Sequence, residues 1–306
     1  MNGKGAWPLF GGLAWLALVL FASPLVEGVM RKVKAVVHSR QGPPVVQPYL
    51  DLAKLLVKED LTAAPGAVAR LAPAAAFACV LAAAFLVPFG TPPPAAGAGD
   101  LFVFIYLVTL SSASVMAAGL SHPSPFSHLG SSREMMMVIS AEAVIVISLI
   151  ACAVAGGTAV PAALVPAGLR LSSLIALACY LLAMQALLGK LPFDIPEAEQ
   201  ELMEGPFIEY SGPSLALFKW TFYVKGLVFG ALFFHLFVGW PRVSGWGAVG
   251  AVANVVVTFA AVLMLGLVVV LIDATNPRLR IDQSLRVFGV LIGVAALGAG
   301  LAAFGW

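Results

Sequence analysis

The stretch Lys190–Gly212 has the residue types and the spacing that proton chemistry needs. It reads KLPFDIPEAEQELMEGPFIEYSG, and its six carboxylates are Asp194, Glu197, Glu199, Glu201, Glu204 and Glu209. Asp194 followed three residues later by Glu197 is similar to a helix-capping box, with Pro196 in the first turn and Gly205 at the end. The pattern therefore predicts a short acidic helix.

This acidic helix would place Glu197, Glu201 and Glu204 on one face, because residues three and four apart are neighbours about 5–6 Å apart on a helix. Carboxylates at that spacing cannot all ionise cheaply once they are partly buried, so they share protons. Groups that exchange protons near neutral pH can form the mouth of a proton path. A solvated acidic helix at a membrane surface has the same charge pattern, and the spacing alone does not separate these interpretations.

Glu142 is a second candidate, because it lies inside a long apolar window with no Lys or Arg within one turn. At 1.5 Å per residue it is about 12 Å deep in a predicted membrane helix, where an ionisable group is costly and by default functional. A neutral, hydrogen-bonded structural glutamate is the alternative. Lys225 lies deep in another apolar window and needs a carboxylate partner, for which Glu142 is the obvious choice. Lys219 can snorkel to the interface, and His235 is interpreted as structural.

Membrane helices must position these candidates. Of the 306 residues, 61% are hydrophobic and 10% are charged, against about 25% charged in soluble domains, and the mean hydropathy is +0.99. Apolar windows of roughly 20 residues predict transmembrane helices, whereas the alternating segments of a membrane barrel are absent from the sequence. Eight spans are predicted in one polytopic domain over residues 1–306: 7–30, 68–90, 100–120, 134–156, 171–190, 214–239, 248–273 and 286–304.

The fold class predicted is therefore an all-α integral membrane protein with about eight transmembrane helices and two short cytoplasmic helices, one amphipathic and one acidic. The first span is interpreted as a retained helix, because no small-residue cleavage pattern follows its apolar run. The amphipathic helix begins near Pro48 and is expected in the membrane interface or beneath a partner subunit, a surface helix without a partner being the alternative. Its apolar positions are Tyr49, Leu52, Ala53 and Leu56.

Basic residues predict the orientation of the chain. Eleven Lys and Arg residues follow predicted spans one, three, five and seven, against three on the opposite side. The richer side is expected to be cytoplasmic, which places both termini on the non-cytoplasmic side of the cell membrane. The eleven are Arg31, Lys32, Lys34, Arg40, Lys54, Lys58, Arg133, Lys190, Arg278, Arg280 and Arg286.

Several classes of site are not predicted. The cysteines Cys79, Cys152 and Cys179 are far apart and fall in apolar windows, so they are interpreted as packing residues. The sequence has no phosphate-binding loop, nucleophile elbow, haem-type histidine pair or metal-ligand cluster. With a net charge of only +2 and no basic-aromatic stretch, nucleic-acid binding is not expected. We expect no catalytic residue, metal or cofactor in this chain.

The segment PFDIPEAEQELMEGPFIEYSG resembles the signature of the membrane subunit that respiratory complex I (its ND1-type subunit) shares with energy-converting NiFe hydrogenases, including formate hydrogenlyase. Further similar pieces run in order from about residue 27 to residue 283. They are Arg40–Gly42–Pro43, Gln47–Pro48, Asp51, Lys54, Lys58–Glu59, Ser140–Glu142 and NPRLRIDQ at 276–283. The resemblance thus covers nearly the whole chain.

The resemblance implies an eight-helix subunit with an acidic entrance to a membrane proton path. Carried over by position, Glu142, Glu197, Glu199 and Glu201 correspond to that entrance, Glu204 and Glu209 are nearby candidates, Asp194 matches the PFD aspartate, and Lys225 is added as the expected partner of Glu142. Implied partners are the NiFe large subunit, a small Fe–S subunit and antiporter-like membrane subunits. The residues expected to dock partners are Arg31, Lys32, Lys34, Arg40, Asp51, Lys54, Arg278, Arg280 and Asp282.

Departures from the complex I pattern favour the hydrogenase branch of this family. The first loop is shortened at Gly42–Gln47, a basic cluster is inserted after Glu27, and Phe222 stands before Tyr223 where complex I has a glutamate. Because the first loop helps to shape the quinone cavity in complex I, these changes weigh against quinone binding. A quinone-reducing complex I subunit and a non-enzymatic ion transporter remain the alternative functions, although no internal repeat supports the transporter.

Overall fold

A computed structural model describes residues 7–61, 66–95, 97, 99–164, 170–196, 199–239 and 247–305. No β-strand occurs within these ranges, as the sequence predicts. The α-helices, in chain order, are α1 Trp7–Val37, α2 Gln47–Val57, α3 Ala67–Ala84, α4 Leu101–Leu120, α5 Pro125–Gly156, α6 Leu171–Leu187, α7 Glu199–Leu202, α8 Gly212–Phe233, α9 Gly247–Thr275 and α10 Ile281–Ala303. Short 3₁₀ turns cover Pro161–Ala163 and Gly205–Phe207, and a π-helical turn, Phe234–Val238, extends α8.

Seven of these helices are long and apolar enough to cross a membrane: α1, α3, α4, α5, α8, α9 and α10. Helix α6 is also apolar but has only 17 residues. Large apolar side chains point outward, such as Phe21 at 68% exposure and Leu297 at 69%, as expected where lipid replaces water as the solvent. The chain is a multi-pass membrane protein.

The core forms where α5 packs against α4, α6 and α10, and where α8 packs against α1 and α3. An aromatic cluster joins α6 to α8, with Tyr180 contacting Phe229, Phe233 and Phe237 and donating a hydrogen bond to the carbonyl oxygen of Phe229. Some buried hydroxyls form hydrogen bonds within their own helices, as Ser148 does by donating to the carbonyl oxygen of Val144. The three cysteines form no disulfide.

Two helices are longer than the sequence predicts. Helix α1 continues to Val37, so the basic cluster that was expected in the following loop lies on its last turns. Helix α5 begins at Pro125, nine residues before the predicted start, because proline is favourable in the first helical turn even though the next residues are polar. Ser127 then donates a hydrogen bond to the carbonyl oxygen of Gly119 and fixes α5 against the end of α4.

The structure describes only a short part of the predicted acidic helix. Helix α7 has one turn of four residues, because Met203 and Glu204 adopt the left-handed conformation (φ 50° and 74°). Glu201 and Glu204 therefore do not share a helical face. Glu197, and with it the expected capping box, lies outside the described residues, and only the backbone of Glu199 is described.

Helix α2 is amphipathic, but its buried face differs from the predicted one. Leu52 packs against Ala216 and Tyr223 of α8, with Leu55 beside it, whereas Ala53 and Leu56 are exposed. A hydrogen bond from the Tyr49 hydroxyl to the carbonyl oxygen of Phe21 ties α2 to α1. The buried face differs because α8 packs against only one side of α2, along Leu52 and Leu55.

Candidate functional site

A polar group within the helix bundle surrounds Glu142 of α5. Its Oε2 accepts a hydrogen bond of 2.8 Å from the Thr109 hydroxyl of α4, while its Oε1 is buried and has no hydrogen-bond partner. Lys225 of α8 is 2% exposed and donates to the Ser112 hydroxyl at 3.0 Å. Glu142 and Lys225 lie within electrostatic range of each other. The structure thus brings the predicted Glu142–Lys225 pair into one group.

Glu134 is a member of this group that sequence reasoning missed. It lies two turns before Glu142 on α5 and is within electrostatic range of both Lys225 and Glu142. The predicted span began at residue 134, which placed this glutamate at a helix end beside Arg133 and made it look like interfacial charge. Because α5 begins nine residues earlier, Glu134 is inside the helix bundle. The spacing of two glutamates on one apolar helix was the available signal.

A second charged group, which we call the boundary network, lies where α1 leaves the apolar core. The Glu27 carboxylate accepts hydrogen bonds from Lys190 at 3.1 and 3.3 Å and from Arg31 at 3.2 Å. Arg31 also donates to Asp51 of α2 at 3.1 Å and to the Tyr223 hydroxyl of α8 at 2.8 Å. Burial opposes the charged form of Lys190, but the carboxylate of Glu27 outweighs it and raises the pKa of Lys190.

The boundary network continues to α9 through Asp273, which is 5% exposed. Its carboxylate accepts from Lys34 of α1 at 2.6 Å and from the backbone N–H of Leu191 at 3.0 Å. The loop that leads into the acidic stretch is therefore fixed by one carboxylate on α1 and one on α9. The sequence gives no local sign of these pairings, since Lys190 is 163 residues from Glu27, Leu191 is 82 residues from Asp273, and Lys34 is farther still from Asp273.

On the outer side of this loop is a cleft of about 960 Å³, lined by residues of the acidic stretch, the first turns of α5 and the turn before α10. Asp194 is bound by Arg278 at 2.8 Å, and Glu201 by Arg133 at 2.7 Å. The hydrogen bond and the charge of Arg133 lower the pKa of Glu201, so this carboxylate is ionised at neutral pH. Its predicted place among proton-sharing carboxylates stays a prediction.

Glu204 and Glu209, two further carboxylates of the stretch, lie in different surroundings. Glu204 is exposed, Glu209 is half-buried, and neither makes an ion pair with another described side chain.

Of the residues expected to dock partners, five are already engaged inside the chain: Arg31, Lys34, Asp51 and Arg278 in ion pairs, and Lys32 on the carbonyl oxygen of Gln41. Those whose side chains are exposed without an ion pair among the described residues are Arg40, Lys54, Arg280 and Asp282. His235 donates a hydrogen bond of 2.8 Å to the carbonyl oxygen of Pro161.

Glycines hold the acidic stretch against the helices beneath it. A Cβ on Gly130 of α5 would lie 2.6 Å from the Cα of Gly205, and a Cβ on Gly119 of α4 would lie 3.0 Å from Pro206. Gly205 itself has φ +50°, and a Cβ there would overlap the carbonyl oxygen of Pro196. The close backbone contact explains why this stretch can be ordered with so little helix.

We expect the Gly205→Ala variant to lower the stability of the chain by about 1–3 kcal/mol, because it combines a strained left-handed alanine with a backbone collision. Thermal unfolding of the purified protein in detergent measures this. Gly293→Ala is the matched control: Gly293 lies on α10 with open space around its Cα, so alanine should be neutral or slightly stabilising there. Equal melting temperatures for the two variants would contradict the close contact.

Comparison with known proteins places this arrangement in a family. A model of the NADH dehydrogenase family matches residues 11–303. The chain belongs to this family of ND1-type membrane subunits. Hydrogenase-4 component C of Escherichia coli K12 is 35% identical over 96% of this chain and 93% of that protein, and formate hydrogenlyase subunit 4 of the same organism is 35% identical over 92% and 94%.

Other members of the NADH dehydrogenase family are similar over the same length. A subunit of the NADH-quinone oxidoreductase of Brevibacillus brevis is 32% identical over 96% of this chain and 91% of that protein. Among solved structures, a chain of the membrane-bound sulfane sulfur reductase, an archaeal respiratory membrane complex, superposes with a TM-score of 0.89 at 24% identity, covering 96% of this chain and 99% of that chain. The fold is therefore that of a subunit from a respiratory membrane complex, and the predicted family is confirmed.

Proposed function

We propose that this chain is the membrane-anchor subunit of an energy-converting, NiFe hydrogenase-type complex, in which it couples electron transfer in docked subunits to movement of H⁺ or Na⁺. The observation that best supports this is 35% identity to hydrogenase-4 component C and to formate hydrogenlyase subunit 4 over more than nine-tenths of the chain. The described residues contain no group of His, Cys, Asp and Glu that would hold a metal ion. The redox centres would then belong to partners, namely a NiFe large subunit and a small Fe–S subunit, with antiporter-like subunits beside it in the membrane.

The proposed ion path runs from the cytoplasmic cleft to Glu142. The cleft supplies fixed charge, because Asp194 and Glu201 are paired with arginines. Lys225, which is buried, and Glu134 and Glu142, which are half-buried, then form a group in which two carboxylates share the field of one ammonium. Two carboxylates facing a single cation cannot both be stabilised as anions, so one takes up a proton when the charge of a docked partner changes. Glu197, Glu199, Glu204 and Glu209 remain proposed members of the entrance.

The proposed topology has eight crossings, with α6 as the fifth, and both termini on the non-cytoplasmic side. It follows from the eleven Lys and Arg residues after predicted spans one, three, five and seven, against three on the opposite side. Single cysteines at Ser39, after α1, and at Ala163, after α5, should then react with a membrane-impermeant maleimide from opposite sides of sealed vesicles. The unsubstituted chain controls for its three native thiols. Reaction of both sites from one side would refute the orientation.

The proposed function can be tested by measuring whether the complex needs quinone as its electron acceptor. We expect the purified complex to evolve hydrogen from reduced ferredoxin or another low-potential donor without added quinone, because hydrogenase-type relatives are more similar to this chain than the quinone oxidoreductase relative named above. The measurement is hydrogen evolution with and without quinone and with quinone-site inhibitors. A NiFe large subunit that co-purifies supports the proposal. Strict dependence on quinone would show instead a complex I-type quinone oxidoreductase.

A further inference from the structure

Unpaired polar atoms are concentrated on the hairpin that α4 and α5 form. Of the six buried side-chain polar atoms that lack a hydrogen-bond partner among the described residues, four lie on this hairpin or in its turn. They are Ser111 Oγ, His122 Nε2, Ser131 Oγ and Glu142 Oε1. Native interiors pair nearly all such atoms, so each exception needs an explanation, and a role in proton chemistry is one of them. A mobile proton can bind such atoms in turn, whereas a fixed hydrogen bond would occupy them.

His122, in the turn between the two helices, is 1% exposed, and its contacts fix which ring nitrogen carries the hydrogen. Nδ1 lies 3.1 Å from the carbonyl oxygen of Ala118, which can only accept a hydrogen bond. The Ser121 hydroxyl lies 3.3 Å from Nδ1, and it donates to the same carbonyl at 2.6 Å, so its oxygen is left to accept from the ring. Both contacts require N–H at Nδ1, so Nε2 of the neutral ring presents a lone pair. That buried lone pair is a site where a proton can bind.

The titratable groups around His122 do not hold a charge on its ring in place. Tyr210 of the acidic stretch meets the ring edge to face, with centroids 4.7 Å apart. His128 of α5 is exposed and donates from Nε2 to the backbone carbonyl of His122 at 2.6 Å, and Asp60 is within electrostatic range of Tyr210. No carboxylate in the described ranges forms an ion pair with His122. A proton bound at Nε2 is therefore not trapped by a fixed carboxylate and can leave again.

Polar residues continue from His122 inward along the hairpin. Ser131 of α5 contacts Gly119 of α4, one turn before His122, since a Cβ on Gly119 would overlap the Ser131 hydroxyl. Glu134 follows Ser131 by three residues, so the two side chains are neighbours on α5. Glu142 lies two further turns along the same helix. A serine hydroxyl both donates and accepts hydrogen bonds, so Ser131 is suited to pass a proton towards Glu134.

We propose that His122 carries protons between the acidic stretch and Glu134, through the Ser131 hydroxyl. The inference rests on the proposed function and names its ion as H⁺. In uptake, the lone pair of Nε2 binds a proton and the neutral ring becomes an imidazolium. In release, the Nε2–H bond breaks, the proton passes through the hydroxyl to the Glu134 carboxylate, and the ring returns to its starting tautomer. A nitrogen lone pair binds protons well, whereas hard metal cations prefer oxygen ligands, so this link is specific for protons.

His122→Asn in the intact complex, reconstituted in sealed vesicles, tests the proposal. The asparagine amide takes the place of Nδ1–H and can still donate to Ala118, but it binds no proton near neutral pH. Protons moved per hydrogen molecule are measured with a pH-sensitive dye in sodium-free buffer, and this ratio should fall at least about tenfold. Hydrogen evolution and the melting temperature should stay near those of the unsubstituted complex. Ser131→Ala removes the hydroxyl without adding bulk beside Gly119, and it should lower the ratio as well.

His128→Gln is the matched control, because glutamine keeps an N–H donor for the carbonyl of His122 on an exposed side chain. It should leave the ratio unchanged, and an equal fall in His128→Gln and His122→Asn would show a structural effect of the turn and overturn the inference. A ratio lost in Glu142→Gln but kept in His122→Asn would overturn the inference while the proposed function stands. An unchanged ratio in both variants would overturn the proposed path as well. A gradient that forms only with sodium ions would refute the choice of H⁺.

Discussion

Replacing Glu142 by glutamine is expected to leave hydrogen evolution largely intact while the ion gradient formed per hydrogen molecule falls at least about tenfold. Glutamine keeps the size of the side chain and can still accept the hydrogen bond from Thr109. It cannot change its charge, however, and an ionisable group at this depth is costly to retain unless it has a function. The measurement is ion uptake into sealed vesicles that contain the reconstituted complex, divided by hydrogen evolved.

The control for this experiment is His235→Gln. His235 lies on the π-helical turn after α8 and bonds the carbonyl oxygen of Pro161, away from the Glu142 group. It should leave the ratio of ions to hydrogen unchanged. Glu134→Gln should resemble Glu142→Gln, because Glu134 is within electrostatic range of the same lysine. An unchanged ratio in the Glu142→Gln variant would show that Glu142 is a structural carboxylate and that the proposed path is wrong.

The second large effect is expected on stability. Lys190→Met should lower the stability of the chain by roughly 1.5–3 kcal/mol, because it removes one of the two cations that hydrogen-bond the Glu27 carboxylate, which is 13% exposed, while Arg31 stays bonded to it. The yield of assembled complex and its melting temperature in detergent measure this loss. Lys190→Arg should recover part of it. A melting temperature within a degree or so of the unsubstituted complex would contradict the assignment.

A double-mutant cycle separates the pair from its surroundings. If Glu27→Gln is combined with Lys190→Met, the total loss of stability should be smaller than the sum of the two single losses. The double variant no longer contains the Glu27 carboxylate that has lost its lysine. The pH dependence has a defined sign. Because the pKa of Lys190 is raised above its ordinary value of 10.5, its stabilising contribution is fully present below that value. It is lost only as the pH rises through the raised pKa, so neutral and mildly acidic conditions should leave the pair intact.

Much of the fold could be predicted from the sequence, because a helix that crosses a membrane needs roughly 20 mostly apolar residues, and such stretches are easily recognised. Apolar windows with few charges marked the long helices, and the carboxylate Glu142 stood out against them. The ends of helices were predicted less well. The polar residues after Pro125 look like a loop, yet they pack against α4 and the acidic stretch, and tertiary contacts that no local pattern encodes make them helical.

The charged site could be predicted in its members but not in its pairings. The acidic stretch suggested carboxylates that share protons with each other, whereas the structure gives Asp194 and Glu201 an arginine each from distant segments. Glu27 attracted attention only as a marker of spacing, although it is the centre of the boundary network. Such pairings join residues that are far apart in the chain, as Glu27 and Lys190 are at 163 positions, so only the packed helices determine them.

Helix α1, with 31 residues, is about 46 Å long, which exceeds the roughly 30 Å of a hydrocarbon layer. Its last turns therefore act as a rigid strut to which three separate elements are fastened: the loop at Lys190 through Glu27, helix α2 through Arg31, and helix α9 through Lys34 and Asp273. Asp273 also holds the backbone of Leu191. A docked partner that displaces this loop must either break these contacts or move α1 and α9 with it, so a push on this surface would become a displacement of helices within the bilayer.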